Sequence, residues 1–488
     1  MSEDSSEKKI DFGINIGVNN VLCRFKWDYP IINLMSGHAR NCCRTPKQHI
    51  TEQDIQKYGQ DAIMNLPYEL ERRLEKLQGI THEDCASCLR LEKNGVPAPR
   101  SGVHGWLVDY WLKHGLHKQN DFKNQMFLTG LGSEELKSKN PEMLEIVLGN
   151  TCNLKCTYCS PHYSSLWAQE LIKHGDLTQE EYKKIFPEAP PSLNKVFWEW
   201  FYDVARYSVE TINILGGEPT YMPSFYDVLQ KLVDAYADLG KRDKPKVELG
   251  VISNMNSSDM AIDKLISFLP ELSKYFLFRL QPSVEAMYNR AEYIRFGLKW
   301  STFEKNIRRM VKESKKLGLT QDEFSMGFQM AINAFSITSL PEFVMWVNEM
   351  NEELDYEFGL MKNIVSFPRH HNPMILTPNY APYVKEAADY VKRFEVKNDR
   401  ICKRQRYYGS WHSFRIHLLD GLYESMQSEK RIEYDIESRI EFFKFVNQND
   451  ERRGCNFFHT FPELEPFYRL CEKMYYDRET LKTGLPRP

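Results

Sequence analysis

The 488-residue chain has no apolar run approaching the roughly 20 residues that a membrane span needs. Its opening, MSEDSSEKKIDFG, is polar and lacks the apolar stretch of a secretory signal. Both absences place the expected location in the cytoplasm. There is no charge excess either: Lys+Arg 64 against Asp+Glu 67 leaves a net charge of -3. The chain as a whole therefore has no electrostatic draw toward a polyanion, and neither nucleic acid nor membrane is indicated as a partner. No internal repeat or low-complexity tract appears. What is there, 42% hydrophobic and 27% charged residues, is the balance of a globular protein of two or three domains.

The eleven cysteines are an odd number, grouped in short patterns, in a chain without a signal peptide. That usage reads as metal ligands in a reducing compartment and not as a disulfide framework. The densest group is Cys152, Cys156 and Cys159 in LEIVLGNTCNLKCTYCSPHYSSLW, directly after an apolar run that reads as a buried strand. A short loop can turn three thiolates toward one iron-sulfur cubane. Four thiolates would close the cluster for electron transfer, whereas three leave one iron open for a ligand. The rival is zinc, with His162 completing a Cys3His set. Closed zinc sites usually draw their ligands from two separated pairs, which this loop does not offer.

CNLKCTYC, with Tyr158 before the third cysteine, resembles the C-x3-C-x2-C signature of radical S-adenosylmethionine (SAM) enzymes. The resemblance implies a 4Fe-4S cluster on Cys152, Cys156 and Cys159. Its open iron chelates SAM, and reductive cleavage gives a 5'-deoxyadenosyl radical that removes a hydrogen atom from substrate. From Glu142 onward, short β-rich runs alternate with helical patterns, which argues for parallel βαβ units. The expected fold class is α/β: a partial (β/α)6 barrel, preceded by a cysteine-rich domain and followed by a mostly helical extension. Ligands of such sheets bind at the carboxyl ends of the strands, where the cysteine loop lies.

Gly216-Gly217-Glu218-Pro219 ends the second strand run, and its glycines permit close backbone approach. In the family this motif engages the SAM amino group, so the resemblance assigns Gly216, Gly217 and Glu218 to SAM. It likewise assigns Ser253 and Asn254 to the ribose, Ser283 and Glu285 to the fourth strand end, and Arg295 to the SAM carboxylate. Gln329 and Asn333 are weaker candidates. Each of these later residues also reads as a loop cap or a surface ion pair. Ser160, Ser164 and Ser165 read either as donors around the cluster or as caps of the next helix.

A second cysteine group, Cys23, one of Cys42 or Cys43, Cys85 and Cys88, suits a closed tetrathiolate site, either iron-sulfur or zinc. A helix expected over residues 52–77 would fold these positions together. The segment resembles the cysteine-rich part of SPASM/twitch radical SAM proteins, although those place it after the catalytic core. The expected domains are a disordered tail (1–12), the cysteine-rich domain (13–110), a connector (111–140), the barrel (141–366) and the helical extension (367–488). His104, His114 and His117 read as surface or packing residues, His370 and His371 as side chains pointing apart on an extended segment, and Cys402, Cys455 and Cys471 as buried thiols.

The function that follows is hydrogen abstraction from an unknown peptide or small molecule, with flavodoxin or ferredoxin as electron donor. The alternatives are a non-catalytic zinc scaffold and a nucleoside-modifying enzyme of the same chemistry.

Overall fold

The computed structural model describes Cys23 and residues 25–77, 80, 82–86, 88–89, 136–239, 246–397, 418–427 and 435–483. The expected tail, most of the connector, His104, His114, His117 and Cys402 lie outside the described residues. The chain divides into two units: Met1–Ile32, Gly37–Leu144 and Pro190–Val209 in the first, and Asn33–Ser36, Glu145–Ala189 and Glu210–Pro488 in the second.

In the first unit β1 (Ile31–Asn33), β2 (His38–Arg40) and β3 (Gln48–His49) form an antiparallel meander, with Ile31 opposite Arg40 and His38 opposite His49. The helix expected over residues 52–77 is interrupted. Helix α1 (Glu52–Tyr58) starts on a capping box between Thr51 and Asp54 and stops at Gly59, whose φ of 56° favours glycine. A 3-10 turn follows (Gly59–Ile63), and α2 (Pro67–Leu77) begins at a proline, whose missing N–H costs nothing in the first turn of a helix. The inward face of α1 carries Ile55, whereas that of α2 carries the charged residues Glu69, Arg72, Arg73 and Lys76. Arg73 is fully buried and donates to the carbonyls of Lys26, Met64 and Leu136 and to Asn65. A helix at Leu193–Trp200 closes this core with Phe197, Trp198 and Trp200.

The second unit is built on six strands in the order β11-β10-β8-β7-β6-β4: β4 (Met143–Val147), β6 (Thr211–Leu215), β7 (Val247–Ser253), β8 (Phe276–Pro282), β10 (Phe324–Ile332) and β11 (Gly359–Ile364). Neighbours from β6 to β11 pair in parallel, and Leu148 N–H donates to the Leu215 carbonyl beside β4. Each strand falls on one of the short β-rich runs that alternate with helical patterns from Glu142 onward: EIVLG, TINILGG, VELGVISN, YFLFRLQPS, SMGFQMAIN and YEFGLMKNIV. The crossovers are α3 (Ser165–Lys173), α4 (Pro223–Asp238), α5 (Asp259–Tyr275), α6 (Tyr288–Ile294), α7 (Trp300–Lys316) and α8 (Leu340–Leu354). The apolar stripe of α4, with Phe225, Val228, Leu229, Leu232 and Tyr236, recurs at three- and four-residue spacing and is buried. This is a mixed α/β fold on a parallel sheet that does not close, a partial barrel. A two-stranded ribbon, β5 (Lys155–Cys156) with β9 (Arg295–Phe296), is separate from the sheet.

The C-terminal segment is helical: α9 (Ala381–Lys397), α10 (Leu418–Met426), α11 (Ile436–Arg453), α12 (Phe457–Thr460) and α13 (Glu465–Thr483). The stretch from Arg369 to Tyr380, expected to be extended, instead makes three 3-10 turns, two of them opening on Pro373 and Pro378. This corrects the expectation for His370 and His371, whose rings lie 4.6 Å apart because a helical turn does not alternate side chains as a strand does. Cys471 is buried and Cys455 half-buried. No helix of the described residues is long and apolar enough to cross a membrane.

Candidate active site

The loop from Gly149 to Ser164 leaves β4 at its carboxyl end and carries Cys152, Cys156 and Cys159, all free thiols. Its shape is set by bonds to two other strand ends. Gly217 N–H donates to the Gly149 carbonyl (3.0 Å) and Glu218 N–H to the Thr151 carbonyl (2.9 Å), so the loops after β4 and β6 run side by side. Cys156 sits opposite Arg295 in the β5–β9 ribbon, and Thr157 N–H donates to the Ile294 carbonyl (2.7 Å). The loop closes with Cys159 N–H on the Cys156 carbonyl (3.0 Å) and with Ser164, which caps α3 through Trp167 N–H and donates to the Leu154 carbonyl (2.8 Å). The capping role expected among Ser160, Ser164 and Ser165 belongs to Ser164.

The two glycines are explained by this loop pairing. A Cβ on Gly217 would stand 2.2 Å from the Thr151 carbonyl oxygen, and one on Gly216, whose φ is 149°, would stand 3.0 Å from the Gly149 carbonyl oxygen. The approach they allow in this structure is to the cysteine-loop backbone. Glu218 is buried and its carboxylate is fully engaged. One oxygen accepts from Thr220 N–H (3.1 Å), Thr220 Oγ1 (2.6 Å) and Ser253 Oγ (2.8 Å), and the other from Asn254 N–H (2.5 Å). Burial pushes its pKa up, and these bonds pull part of the way back. Glu218 thus ties the end of β6 to the end of β7. Asn254 in turn donates to Asn153 Oδ1 (2.8 Å), and its amide lies 4.0 Å from Cys152 Sγ.

On the other side of the loop Arg295 is buried. Its guanidinium pairs with Glu285 (2.6 Å), lies 5.6 Å from the Tyr158 ring centroid, and has NH1 3.8 Å from Cys156 Sγ. Tyr158 Oη donates to Glu285 (3.3 Å). Glu285, Arg295 and Tyr158 are therefore one buried cluster behind Cys156. Ser283 is buried and bridges Gln329 through the backbone, and Asn333 turns its amide onto the Ala331 carbonyl.

Two observations test whether a cluster and SAM fit here. Burial raises the pKa of all three loop thiols, with mutual repulsion adding to it at Cys152 and Cys159, while Arg295 opposes the rise at Cys156. Thr157 Oγ1 and Arg295 Nε are buried without a hydrogen-bond partner, which native proteins rarely leave unless a further group satisfies them. A single ion is less well served. Among the described residues no three His, Cys, Asp or Glu side chains gather around one point, and His162 is exposed. A cubane asks each thiolate to reach a different iron. Three free thiols on one loop, with the Arg295 guanidinium beside one of them, are the donor chemistry that such a cluster uses.

Residues that the sequence reading did not single out complete the loop. Trp167 Nε1 donates to the Cys156 carbonyl (2.7 Å), and Lys155 pairs with Glu170. Arg453, from the far end of the chain, donates to the Lys155 carbonyl (2.8 Å) and pairs with Glu170 (2.9 Å). In the sequence Trp167 is only the last residue of the SPHYSSLW stretch that follows Cys159. Nothing in NDERRG distinguishes Arg453 from its neighbours.

In the first unit Cys23 and Cys88 are buried and Cys42 and Cys85 half-buried, while Cys43 is exposed. Arg44 N–H donates to Cys42 Sγ (3.4 Å). The hydrogen bond with Cys43, followed by burial, drives the Cys42 pKa up, against the opposing charge of Lys26. Lys26 and Lys76 are buried with Nζ atoms that have no hydrogen-bond partner, and the carboxylate nearest Lys26 is Glu69 at 3.7 Å.

Comparison with known proteins adds to this geometry. Residues 146–322 match the model of the Radical SAM superfamily. Similar solved structures include native anSMEcpe with bound AdoMet (17% identity, TM-score 0.35, 53% of this chain and 63% of that one). Another is SuiB of Streptococcus suis (12% identity, TM-score 0.34, 76% of this chain and 68% of that one). The match thus spans less than two thirds of anSMEcpe. No curated protein matches. The strand order, the three-cysteine loop and the family match agree: the chain carries, over residues 146–322, a radical SAM domain of the Radical SAM superfamily.

Proposed function

We propose that the protein is a radical SAM enzyme that abstracts hydrogen from a peptide or small-molecule substrate, with Cys152, Cys156 and Cys159 holding a 4Fe-4S cluster. When bound, cluster and SAM together supply one-electron chemistry, the reductive cleavage of the sulfonium to a 5'-deoxyadenosyl radical. The chain's own residues hold the loop and shape its surroundings. Gly216 and Gly217 let the β6 loop lie against the cysteine loop, and Glu218 locks the ends of β6 and β7, which present Ser253 and Asn254. Arg295, held by Glu285 over Tyr158, keeps a permanent cation beside Cys156 and retains Nε as a free donor for a carboxylate. The observation that carries the reading is the clamping of this three-thiol loop by both β6 and β9 at the carboxyl end of a parallel sheet.

A second centre on Cys23, Cys42, Cys85 and Cys88, iron-sulfur or zinc, belongs to the same proposal, although among the described residues no three of these thiols gather around one point. Its support is electrostatic. Lys26, Arg73 and Lys76 are buried in the first unit, where Glu69 is the buried carboxylate, and such charge is costly without an anion. A tetrathiolate metal centre is dianionic and supplies one. Flavodoxin or ferredoxin is the proposed electron donor and the cytoplasm the proposed location.

The test is anaerobic reconstitution of wild type, Cys156→Ala and Cys42→Ser, with iron and zinc counts, EPR after dithionite reduction and a SAM-cleavage assay. About eight irons, a signal altered by SAM, and loss of 5'-deoxyadenosine in Cys156→Ala are expected for two clusters. About four irons with cleavage intact would make the second centre zinc or vacant. Stable zinc, no iron and no cleavage would leave a non-catalytic scaffold.

A further inference from the structure

Helix α11 ends at Arg453, where Gly454 takes the left-handed conformation (φ 63°) that terminates the helix. This last side chain is buried and faces the peptide group that enters Cys156. NH1 donates to the Lys155 carbonyl at 2.8 Å, while Nε and NH2 both reach Glu170 Oε1, at 3.2 and 2.9 Å. Lys155 Nζ takes the other oxygen of Glu170. The guanidinium lies 4.5 Å from the centroid of the Trp167 ring, whose Nε1 holds the Cys156 carbonyl, and 5.3 Å from that of Phe296 in β9. Both carbonyls flanking the Cys156 nitrogen and Cα are thus fixed, one by Arg453 directly and one by the indole it packs on.

The same C-terminal segment reaches the second strand of the ribbon. Tyr293, near the end of α6 where the chain enters β9 and Arg295, donates to Asp450 of α11 (2.8 Å), and Asp450 also accepts from Phe457 N–H. Arg290 of α6 pairs with Glu463 (3.1 Å). Arg453, Lys155 and Glu170 together leave one net positive charge behind Cys156, additional to the Arg295–Glu285 pair.

We propose that Arg453 is a positioning residue of the cluster loop: it fixes the Cys156 peptide and places a permanent cation behind the thiolate. The helical C-terminal segment is thereby part of the iron site. This rests on the radical SAM reading above. Partners of this kind set metal affinity by about 10- to 100-fold, and a cation near a cluster favours its reduced, more negative form.

The experiment compares wild type, Arg453→Gln, Arg453→Lys and the control Arg452→Gln, whose side chain pairs with Asp176. Thermal melting of the iron-free proteins is measured first. Iron per chain, the rate of iron release to a chelator and the cluster midpoint potential follow. Arg453→Gln is expected to release iron about ten-fold faster or more and to show a more negative potential. Arg453→Lys, which keeps the charge but can reach only part of the acceptor set, should keep its potential and still release iron faster than wild type. Arg452→Gln should match wild type. A lowered melting point with iron release and potential unchanged would make Arg453 a fold-stabilising ion pair only and overturn the proposal. Should Arg453→Gln not fold, wild-type iron release in Arg453→Lys overturns it equally. A wild type that takes up no iron defeats the parent reading instead, so the two failures are distinct.

Discussion

At the scale of single residues, the site depends on groups whose role is set by what stands a few ångströms away. Gly217→Ala places a methyl group against the Thr151 carbonyl, so the loops after β4 and β6 must part. Overpacking of this kind costs about 1–3 kcal/mol. Urea denaturation of the iron-free variant should show that loss, and reconstitution should show reduced iron; wild-type values for both would refute the loop-pairing account. Lys26→Met separates two readings of the first unit. If the N-terminal thiolates carry an anionic centre, the variant loses metal there, measured as iron or zinc per chain. If they carry none, metal content is untouched, and loss of Lys26 strands the buried Glu69 carboxylate that it pairs with at 3.7 Å, which lowers stability by about 3–5 kcal/mol. His371 is a third case. Both ring nitrogens are buried without partners among Phe335, Phe445 and His370, and burial, followed by the charges of His370 and Arg453, holds its pKa well below the usual value of about 6.5. As pH falls the unfolded chain takes the proton first, so stability is full above about pH 6.5 and declines below it, by at most about 1.4 kcal/mol per pH unit for this group. His370, held at about 4 by burial, adds to the same slope. His371→Leu should reduce the slope and raise stability at neutral pH; denaturation curves at pH 7.5 and pH 5 with an unchanged difference would count against this.

At the scale of elements, the barrel's strands were readable because a parallel strand buried on both faces is a short run rich in β-branched and aliphatic residues, as in TINIL and VELGVIS, interrupted only at Asn213, Glu248 and Gly250. Helix ends were less so. The break at Gly59 and the 3-10 turns from Arg369 to Tyr380 depend on local φ values and proline placement that an amphipathic count does not register. The docking of the C-terminal helices was not legible at all. It centres on Phe335, past the end of β10, whose ring meets Phe442, Phe445, Phe457 and Phe461. Phe335→Ala should cost about 3–5 kcal/mol. Because the same helices carry Arg453, iron release should quicken as well. A stable variant with wild-type iron release would mean that the aromatic cluster is not what seats them.

At the scale of the whole molecule, the near-balance of charge, a net -3, makes one plain prediction: the protein should pass through a heparin column at 0.15 M salt. Retention would point to a basic surface that the sum conceals and would make a polyanion a candidate partner.

The sequence by itself determined the βαβ order, the three-cysteine loop and its place after the first parallel strand, because periodicity and ligand spacing are properties of neighbouring residues. Only the tertiary structure decided what surrounds that loop. It gave the glycines of GGEP to the cysteine-loop backbone, Glu218 to the ends of β6 and β7, and Glu285 with Arg295 and Tyr158 to one buried cluster behind Cys156. It also brought Arg453 across nearly three hundred residues to the Lys155 carbonyl. The physical reason is that a buried polar group must find a partner wherever the fold offers one, and which donor reaches which acceptor depends on packing between elements that no spacing along the chain encodes.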